Sequence, residues 1–291
     1  MHLVLQTLIG QLTIGSLYAL VAVGFVIVYR STRVINFAQG LFALLGGYFF
    51  FSIADGLGLG FWVSLVLSLL LSLVFGAAVY GILLRPLVGQ SPLILVMLTI
   101  ALSIVFGAVI LMVWGSGTRF LDVPIHGTLH LLFGVTVTVL DATIFGVAVV
   151  LLLTFSLVLR FSRFGSAMRA AAENPLLAAY RGINVGAISA ATWAIAMFGA
   201  SLAGIAYGAT SGLAPGIGNV LGFAAFPAII IGGLDSVAGA LVGALVLAEI
   251  QGYAVTYLGG KFSDVVGYGL LLIVLVVRPT GLFGTKEIVR L

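Results

Sequence analysis

Glu249 is the only carboxylate deep within a long apolar run of this sequence, the segment 237–257. An ionisable side chain in such a run is by default a candidate for solute binding or proton transfer, because an apolar environment makes its charge costly. No basic residue is predicted at the same depth, so Glu249 is either protonated, in contact with water, or held by hydroxyl and amide donors. A structural hydrogen bond and a solute contact both stay open for it.

Other kinds of chemistry have few residues to use. The chain has no Cys and three His, so neither a nucleophile with a base nor a cluster of metal ligands is evident. His126 and His130 lie four residues apart without further ligands and are interpreted as exposed loop residues. The motifs around Lys261 ("GGKF") and Lys286 ("GTKE") do not match a phosphate-binding loop. We therefore predict that the chain is not an enzyme and binds no cofactor or metal itself.

The composition identifies the surroundings of these residues. Hydrophobic residues make up 62% of the chain and charged residues 7%, against about 45–50% apolar residues in soluble domains. Several nearly uncharged runs reach the roughly 20 residues that a helix needs to cross the hydrocarbon. The sequence therefore predicts an all-α polytopic membrane protein, built as a single transmembrane domain over residues 1–291.

The sequence predicts about eight to nine transmembrane helices, from apolar segments near 5–29, 37–54, 61–84, 93–114, 141–160, 187–210, 220–234, 237–257 and 265–278. The seventh segment is short and carries Pro227, so a full crossing and a broken or partial one both stay open for it. Short cytoplasmic loops are enriched in Lys and Arg. With the N-terminus outside and nine crossings, ten basic residues, Lys286 and Arg290 included, lie inside, and only Arg119 and Lys261 lie outside. The charges thus predict an outer N-terminus and a cytoplasmic C-terminus.

The longest outer loop covers residues 115–140. Its stretch "TLHLLFGVTVTVL" alternates apolar and polar residues around Phe133-Gly134. This alternation, with Gly at the turn, predicts a small surface hairpin.

A basic insert separates the fifth and sixth apolar segments. Four of the twelve basic residues of the chain lie in "RFSRFGSAMRAAAENPLLAAYRGINV", residues 160–185. The Ala-rich half is strongly helix-forming. Asn174 and Pro175 are typical of an N-cap and a first helical position, and Gly182 is placed to end the second helix. The resulting apolar face of Leu176, Leu177 and Tyr180 could rest on lipid or fit a groove on a partner, and the residues alone favour neither.

This insert resembles the cytoplasmic coupling loop of permease subunits in branched-chain amino-acid ABC importers (LivH type). The resemblance covers nearly the whole chain. It rests on four stretches in the same order, "GSLYALVAVGFVIVYRSTRVINFAQG" at 15–40, "AAAENPLLAAYRGIN" at 170–184, "FPAIIIGGLDSVAGALVGA" at 226–244 and "RPTGLFG" at 278–284.

The resemblance implies a type II ABC importer permease fold in a bacterial inner membrane. Its implied partners are a second permease chain (a related chain rather than a copy), two cytoplasmic ATP-binding subunits and a periplasmic solute-binding protein. ATP would bind the partner subunits, and the solute would be a branched-chain amino acid or a related amino or organic acid. The loop 161–186 would carry the coupling helix, whose contact with the ATPase would be shaped by Arg169, Glu173, Asn174, Ala178 and Gly182. The family often has a polar residue after the Asn-Pro pair, where this chain has Leu176.

Several uncharged polar residues are candidates for a solute path. Asn36 and Gln39 begin the second apolar segment and need protein or water around them, because unpaired polar groups in lipid are costly. In one interpretation, Asn36 caps a helix and Gln39 bonds a neighbouring helix. In the other, both residues line a solute path, and the two interpretations are compatible. The segment 211–236 is the second candidate, since Pro227 and the "GGLDS" stretch around Asp235 indicate an interrupted crossing.

Glycines at four-residue spacing indicate close helix packing rather than a site. Gly204, Gly208, Gly212 and Gly216 form one series, and Gly239 with Gly243 forms another. Small residues at this spacing let helices approach closely in lipid.

The leading hypothesis is therefore a permease subunit of an ATP-driven importer. The alternative is a self-contained secondary transporter or channel. A secondary transporter usually carries several intramembrane charges, and this sequence places only Glu249 there.

Overall fold

The computed structural model describes residues 2–130 and 134–284. Phe133 of the predicted turn and the predicted cytoplasmic charges Lys286 and Arg290 lie outside the described residues. The helices are α1 (His2–Thr32), α2 (Gln39–Phe51), α3 (Phe61–Val79), α4 (Pro92–Trp114), α5 (Val139–Phe161), α6 (Arg163–Glu173), α7 (Pro175–Tyr180), α8 (Val185–Thr210), α9 (Ile217–Gly232), α10 (Val237–Leu258) and α11 (Ser263–Val277). The strands are β1 (Thr128–His130) and β2 (Thr136–Thr138).

Each of the nine predicted apolar segments is a helix, namely α1 to α5 and α8 to α11. Among the described residues, seven helical spans are long and apolar enough to cross a membrane by length and composition. α2 has 13 residues and continues as a π-helical turn over Ser52–Gly56. α9 has 16 residues, which at 1.5 Å per residue reach about 24 Å, less than the roughly 30 Å of hydrocarbon. The all-α architecture predicted from the composition is confirmed, and α9 is an apolar helix shorter than the hydrocarbon layer.

The helices form a buried centre with a less buried periphery. The most apolar 18-residue window is 78% buried in α1 and 67% buried in α8 but only 22% buried in α4 and 11% buried in the span 260–277 that contains α11. α1 packs against α10, α8, α9 and α5, and α2 packs against α8 and α9. The peripheral helices α3, α4, α5 and α11 therefore present most of their apolar side chains outward, as expected for helices in contact with lipid or another membrane chain.

The buried face of α3 is built from small polar residues rather than from its Leu and Val side chains. Ser64, Ser68 and Ser72 follow each other every four residues and are fully buried, and Gly76 continues the row. The Ser201 hydroxyl of α8 donates to the Ser72 hydroxyl at 2.8 Å. Lipid gives apolar side chains no preference for the protein interior, so the Leu and Val residues of α3 can face outward. The small side chains on the inner face allow α3 and α8 to approach closely.

The starts of α2 and α9 meet inside the protein. A side chain on Gly40 would collide with the backbone of Gly218 and Gly222. Before α9, the chain returns inward, and Leu213 is completely buried. Its backbone is paired in both directions with that of Arg119, at 2.7 and 2.8 Å. The interruption predicted for 211–236 thus lies on the N-terminal side of α9.

The two ends of α1 mark opposite ends of the molecule. Near its start, the Gln6 side chain donates to the Thr136 carbonyl at 2.9 Å and accepts from the Thr136 amide at 3.1 Å, holding the antiparallel β1–β2 hairpin. Near its end, Arg30 lies within electrostatic range of Arg169, Asp235 and Arg33. The hairpin loop and the basic insert are therefore far apart, as the sequence-based topology requires of an outer and an inner loop.

Candidate functional site

The basic insert folds into the two short helices α6 and α7. The Ser162 hydroxyl accepts from the Gly165 amide at 3.1 Å and caps α6. Gly165, Met168 and Ala171 form the buried face of α6. A side chain at Gly165 would collide with the Leu159 carbonyl of α5, so only glycine allows this approach. α6 is thereby fixed closely against the membrane helices.

The break between α6 and α7 lies at Asn174, as the residue pattern predicts. The Asn174 side chain accepts from the Leu177 amide at 3.0 Å, and Pro175 takes the first position of α7. Gly182, at φ +81°, ends the helix with two closing bonds, from its own amide to Ala179 and from the Ile183 amide to Ala178. This pair of bonds is the Schellman arrangement, which requires a left-handed residue at this place.

α7 presents a largely exposed apolar surface. Leu176 is 72% exposed, Leu177 61% and Tyr180 86%. Ala178 is buried against the rest of the chain, whereas Glu173, Asn174 and Gly182 are exposed. A partner would therefore touch the exposed residues, and Ala178 would act by fixing how α7 packs. We call Leu176, Leu177 and Tyr180 the α7 face.

Arg169 donates hydrogen bonds to one residue of α5 and to one residue of α6. Its guanidinium donates to the Leu159 carbonyl and to the Ser166 hydroxyl. Since Arg30 of α1 lies within electrostatic range, Arg169 is also placed near the end of the central helix. α6 thus connects the α7 face to α1 and α5.

Asn36 and Gln39 form a fully buried hydrogen-bonded pair at the start of α2. Asn36 Nδ2 donates to Gln39 Oε1 at 3.0 Å, and Gln39 Nε2 donates to the Ala196 carbonyl of α8 at 3.1 Å. Asn36 Oδ1 accepts from the Ala38 amide at 3.1 Å. Asn36 is not the N-cap, because α2 begins after Ala38 without a side-chain cap. In this structure the pair supports the helix break, and its side chains do not reach an open surface.

A third buried polar residue, Thr99 of α4, secures the same break. Its hydroxyl accepts from the Phe37 amide at 3.2 Å and lies 3.3 Å from the Ile35 carbonyl. Irregular backbone inside a membrane protein needs such partners, because lipid offers none. The non-helical residues before α2 are therefore held from α2, α4 and α8 together.

A cavity of about 260 Å³ lies beside this break. It is lined by Phe25, Phe37, Ile100, Ser103, Gly218, Asn219, Gly222, Phe223 and Phe226. Phe226 packs against Phe25 and Phe37, with ring centroids 6.4 and 5.7 Å apart. The walls are aromatic and carry only Asn219 and Ser103 as polar side chains, so the cavity suits a neutral, mostly apolar group.

The other predicted path residues lie in different places. Pro227 is buried inside α9, close to the cavity. Asp235 lines a separate cavity of about 240 Å³ together with Tyr29, Arg33 and Thr280. The Oε2 atom of Glu249 is buried without a hydrogen-bond partner among the described residues. The structure thus brings Asn36 and Gln39 together at the break, places Pro227 on the helix that lines the neighbouring cavity, and leaves Asp235 and Glu249 apart from both.

Sequence reasoning missed several residues of this region. Thr99, Ser103 and Asn219 are single polar residues inside long apolar runs, and no spacing distinguishes them from structural residues. The Ser64, Ser68 and Ser72 row did carry a signal in its four-residue period. Across residues 2–130 and 134–284, no group of three or more His, Cys, Asp or Glu is placed to hold a metal.

Comparison with known proteins gives a consistent match. Residues 7–275 match the family described as "Branched-chain amino acid transport system / permease component". The chain is 32% identical to the high-affinity branched-chain amino acid transport system permease protein BraD of Pseudomonas aeruginosa, over 98% of this chain and 97% of the relative. It is 31% identical to LivH of Escherichia coli, over 98% and 96%, and 28% identical to a probable LivH of Methanocaldococcus jannaschii, over 97% and 94%. No solved structure matches the chain significantly.

Proposed function

Because the chain belongs to the family of branched-chain amino acid transport permease components, and so is a permease subunit of an ABC importer, we propose how it couples ATP to solute movement. The partner ATPase docks on the α7 face. The observation that carries this proposal is the exposure of Leu176, Leu177 and Tyr180 on a helix that is rigidly capped at both ends. An exposed apolar face on a short, fixed helix is suited to fit a groove.

The proposed importer contains several partner subunits. The chain, as a single domain over 1–291, pairs with a second permease chain, a related chain rather than a copy. Two cytoplasmic subunits bind ATP, and a periplasmic protein delivers the solute to the outer face that carries the loop 115–140. The N-terminus lies outside, and the C-terminus and the coupling loop 161–186 lie in the cytoplasm of a bacterial inner membrane. The chain forms and breaks no covalent bond and holds no cofactor itself.

Force applied to α7 has a short route into the membrane. α7 follows α6 directly at Asn174, and α6 packs against α1, α5 and α8. Arg169 links α6 to the end of α5. A displacement of α7 by the ATPase therefore moves the central helices α1 and α8, and Gln39 at the start of α2 is hydrogen-bonded to α8.

The solute path passes the break where α2 and α9 begin. Interrupted helices at membrane depth are tolerated where they line a cavity. The aromatic cavity there fits the apolar side chain of a branched-chain amino acid, in line with the relatives' names. Asn36 and Gln39 serve the path by fixing the break, and Pro227 by shaping α9. Asp235 stands at its cytoplasmic end, and Glu249 finds its missing donor in another state of the cycle.

The experiment compares two double variants of the tagged chain. Leu176→Ser with Tyr180→Ser removes the α7 face, whereas Leu57→Ser with Tyr257→Ser changes residues of similar exposure, 69% and 60%, at the opposite end. The protein is extracted in mild detergent and its stoichiometric partners are identified by mass spectrometry. We expect the first variant alone to lose the ATPase subunit, by more than tenfold, because each buried apolar side chain contributes about 1.5–3 kcal/mol.

Two results would contradict the proposal. Retention of the ATPase by a folded Leu176→Ser, Tyr180→Ser variant would remove α7 as the docking element. Recovery of the unaltered chain alone, or only with copies of itself, would favour the self-contained transporter or channel and direct attention to Glu249.

A further inference from the structure

α9 contains a proline in its interior, and this leaves one carbonyl without its usual donor. In an α-helix the carbonyl of a residue accepts from the amide four positions later. The position four after Phe223 is Pro227, which has no N–H. An unpaired carbonyl inside a membrane costs several kcal/mol, so a proline in such a helix needs a substitute donor nearby.

Tyr268 of α11 supplies that donor. Its hydroxyl donates to the Phe223 carbonyl at 3.3 Å. α11 packs against both α9 and α10. The bond therefore joins the peripheral helix α11 to the proline-containing helix α9. The contact therefore replaces the missing bond inside α9 with a bond between two helices.

The residue held in this way belongs to the aromatic cavity. Phe223 and Phe226 both line it, and Phe226 packs on Phe25 of α1 and Phe37 before α2. The part of α9 before Pro227 carries these side chains and Asn219, while the part after it packs closely on α10, where Gly232 touches Gly239. A change of angle at Pro227 would therefore move the cavity wall and leave the α9–α10 contact in place.

We propose that Tyr268 is a positioning residue for solute transport. Its hydroxyl fixes the angle of α9 at Pro227 and so holds Phe223 and Asn219 against the cavity. This inference rests on the proposed path along α9. Tyr268 touches no solute in it and acts only through the Phe223 carbonyl.

The test is a double-mutant cycle on the complete transporter complex. Tyr268→Phe removes the donor, and Pro227→Ala restores an amide four residues after Phe223. Tyr253→Phe is the control, because its hydroxyl also bonds a backbone carbonyl, that of Val4, at 3.4 Å. The readouts are the unfolding midpoint of the purified complex and, in liposomes with the binding protein, both solute uptake and ATP hydrolysis.

We expect Tyr268→Phe to lower uptake about fivefold, the effect of one lost hydrogen bond, while ATP hydrolysis changes less than about twofold. A merely structural role would lower both rates equally, because it would reduce the amount of intact complex. In the Pro227→Ala background, Tyr268→Phe is expected to change neither uptake nor the midpoint. Tyr253→Phe is expected to leave the ratio of uptake to hydrolysis unchanged.

An equal effect of Tyr268→Phe in both backgrounds would show that the ring packs without acting on the proline, and would overturn the proposal. No effect in either background would do the same. The unfolding cycle needs no transport, so it reports on the Tyr268–Phe223 bond even if the unaltered complex moves no solute. An unaltered complex that moves no solute would contradict the proposed function but would leave the Tyr268–Phe223 bond untouched.

Discussion

The buried polar residues at the start of α2 serve backbone that is not helical. The residues just before α2 lie inside the protein, where their amide and carbonyl groups find no water. Thr99 accepts from the Phe37 amide and Asn36 from the Ala38 amide, and Gln39 in turn accepts from the Asn36 side chain. Gln39 also ties the break to α8 through the Ala196 carbonyl. A helix break of this kind is stable only while all of these bonds are made, since each unpaired buried group is costly.

Gln39→Leu tests this interpretation at a single residue. Leucine has a similar size but leaves the Asn36 side-chain amide without its acceptor and removes the second hydrogen bond to the Ala196 carbonyl, which we expect to cost about 1–3 kcal/mol. The measurement is the unfolding midpoint in detergent, with exposed Gln90→Leu as the control expected to stay unchanged. An unchanged midpoint together with lost uptake would instead favour direct contact of Gln39 with solute.

Residue chemistry was only partly predictable. The sequence requires Asn36 and Gln39 to face protein or water, because lipid is excluded for both. It could not choose between a neighbouring helix and a path, since the acceptor is a backbone carbonyl of Ala196, far along the chain. Every residue has a backbone carbonyl, so the residue type does not indicate which carbonyl accepts a side-chain hydrogen bond. Tyr268 was missed for the same reason, because its partner is the Phe223 carbonyl.

Helix pairs in this fold are set by small residues at close crossings. Gly204 of α8 lies against the Ala43 backbone of α2, Gly76 of α3 lies against Trp193 of α8, and Gly243 of α10 lies against Ala228 of α9. In lipid such fits replace the hydrophobic force that packs soluble helices. Pairing therefore depends on which positions have no side chain.

Gly204→Ala and Gly107→Ala form a matched pair for this idea. An added methyl at Gly204 would collide with backbone of Ala43, which cannot move aside, whereas one at Gly107 would meet nothing within 4 Å. We expect Gly204→Ala to destabilise by about 1–3 kcal/mol and Gly107→Ala to be neutral or stabilising by up to about 1 kcal/mol. Thermal unfolding of the purified complex measures both. Equal midpoints for the two variants would contradict close crossing at Gly204.

Helix existence could be read from the sequence more securely than helix pairing. Apolar runs located nine apolar helices of the described residues, and the Asn174, Pro175 and Gly182 pattern located α7, because both signals are local. The Gly204 series indicated close packing but not its partner α2. The α3 serines are invisible to a search for apolar faces, since in α3 the apolar residues face outward.

Charge and polarity divide the whole molecule into two ends. The hairpin and the loop from Gly115 lie at the end where α1 begins. At the end where α1 stops, Arg33 and Arg169 both lie within electrostatic range of Arg30. Short cytoplasmic loops of membrane proteins are enriched in Lys and Arg. We therefore expect the end where α1 stops to lie on the cytoplasmic side. The proposed docking of the ATPase on α7 depends on this orientation.

The absence of cysteine from the chain allows a direct test of orientation. Leu57→Cys places a thiol in the loop after α2, at a position that is 69% exposed, and Ala179→Cys places one on α7. We expect a membrane-impermeant maleimide added to intact spheroplasts to label only Leu57→Cys. Inside-out vesicles should give the reverse. The unaltered chain is the blank in both preparations, and detergent-opened membranes show that each thiol can react. Labelling of Ala179→Cys from outside would put the coupling segment on the wrong side for ATP, and the importer mechanism proposed for α7 would then be wrong even if the fold is right.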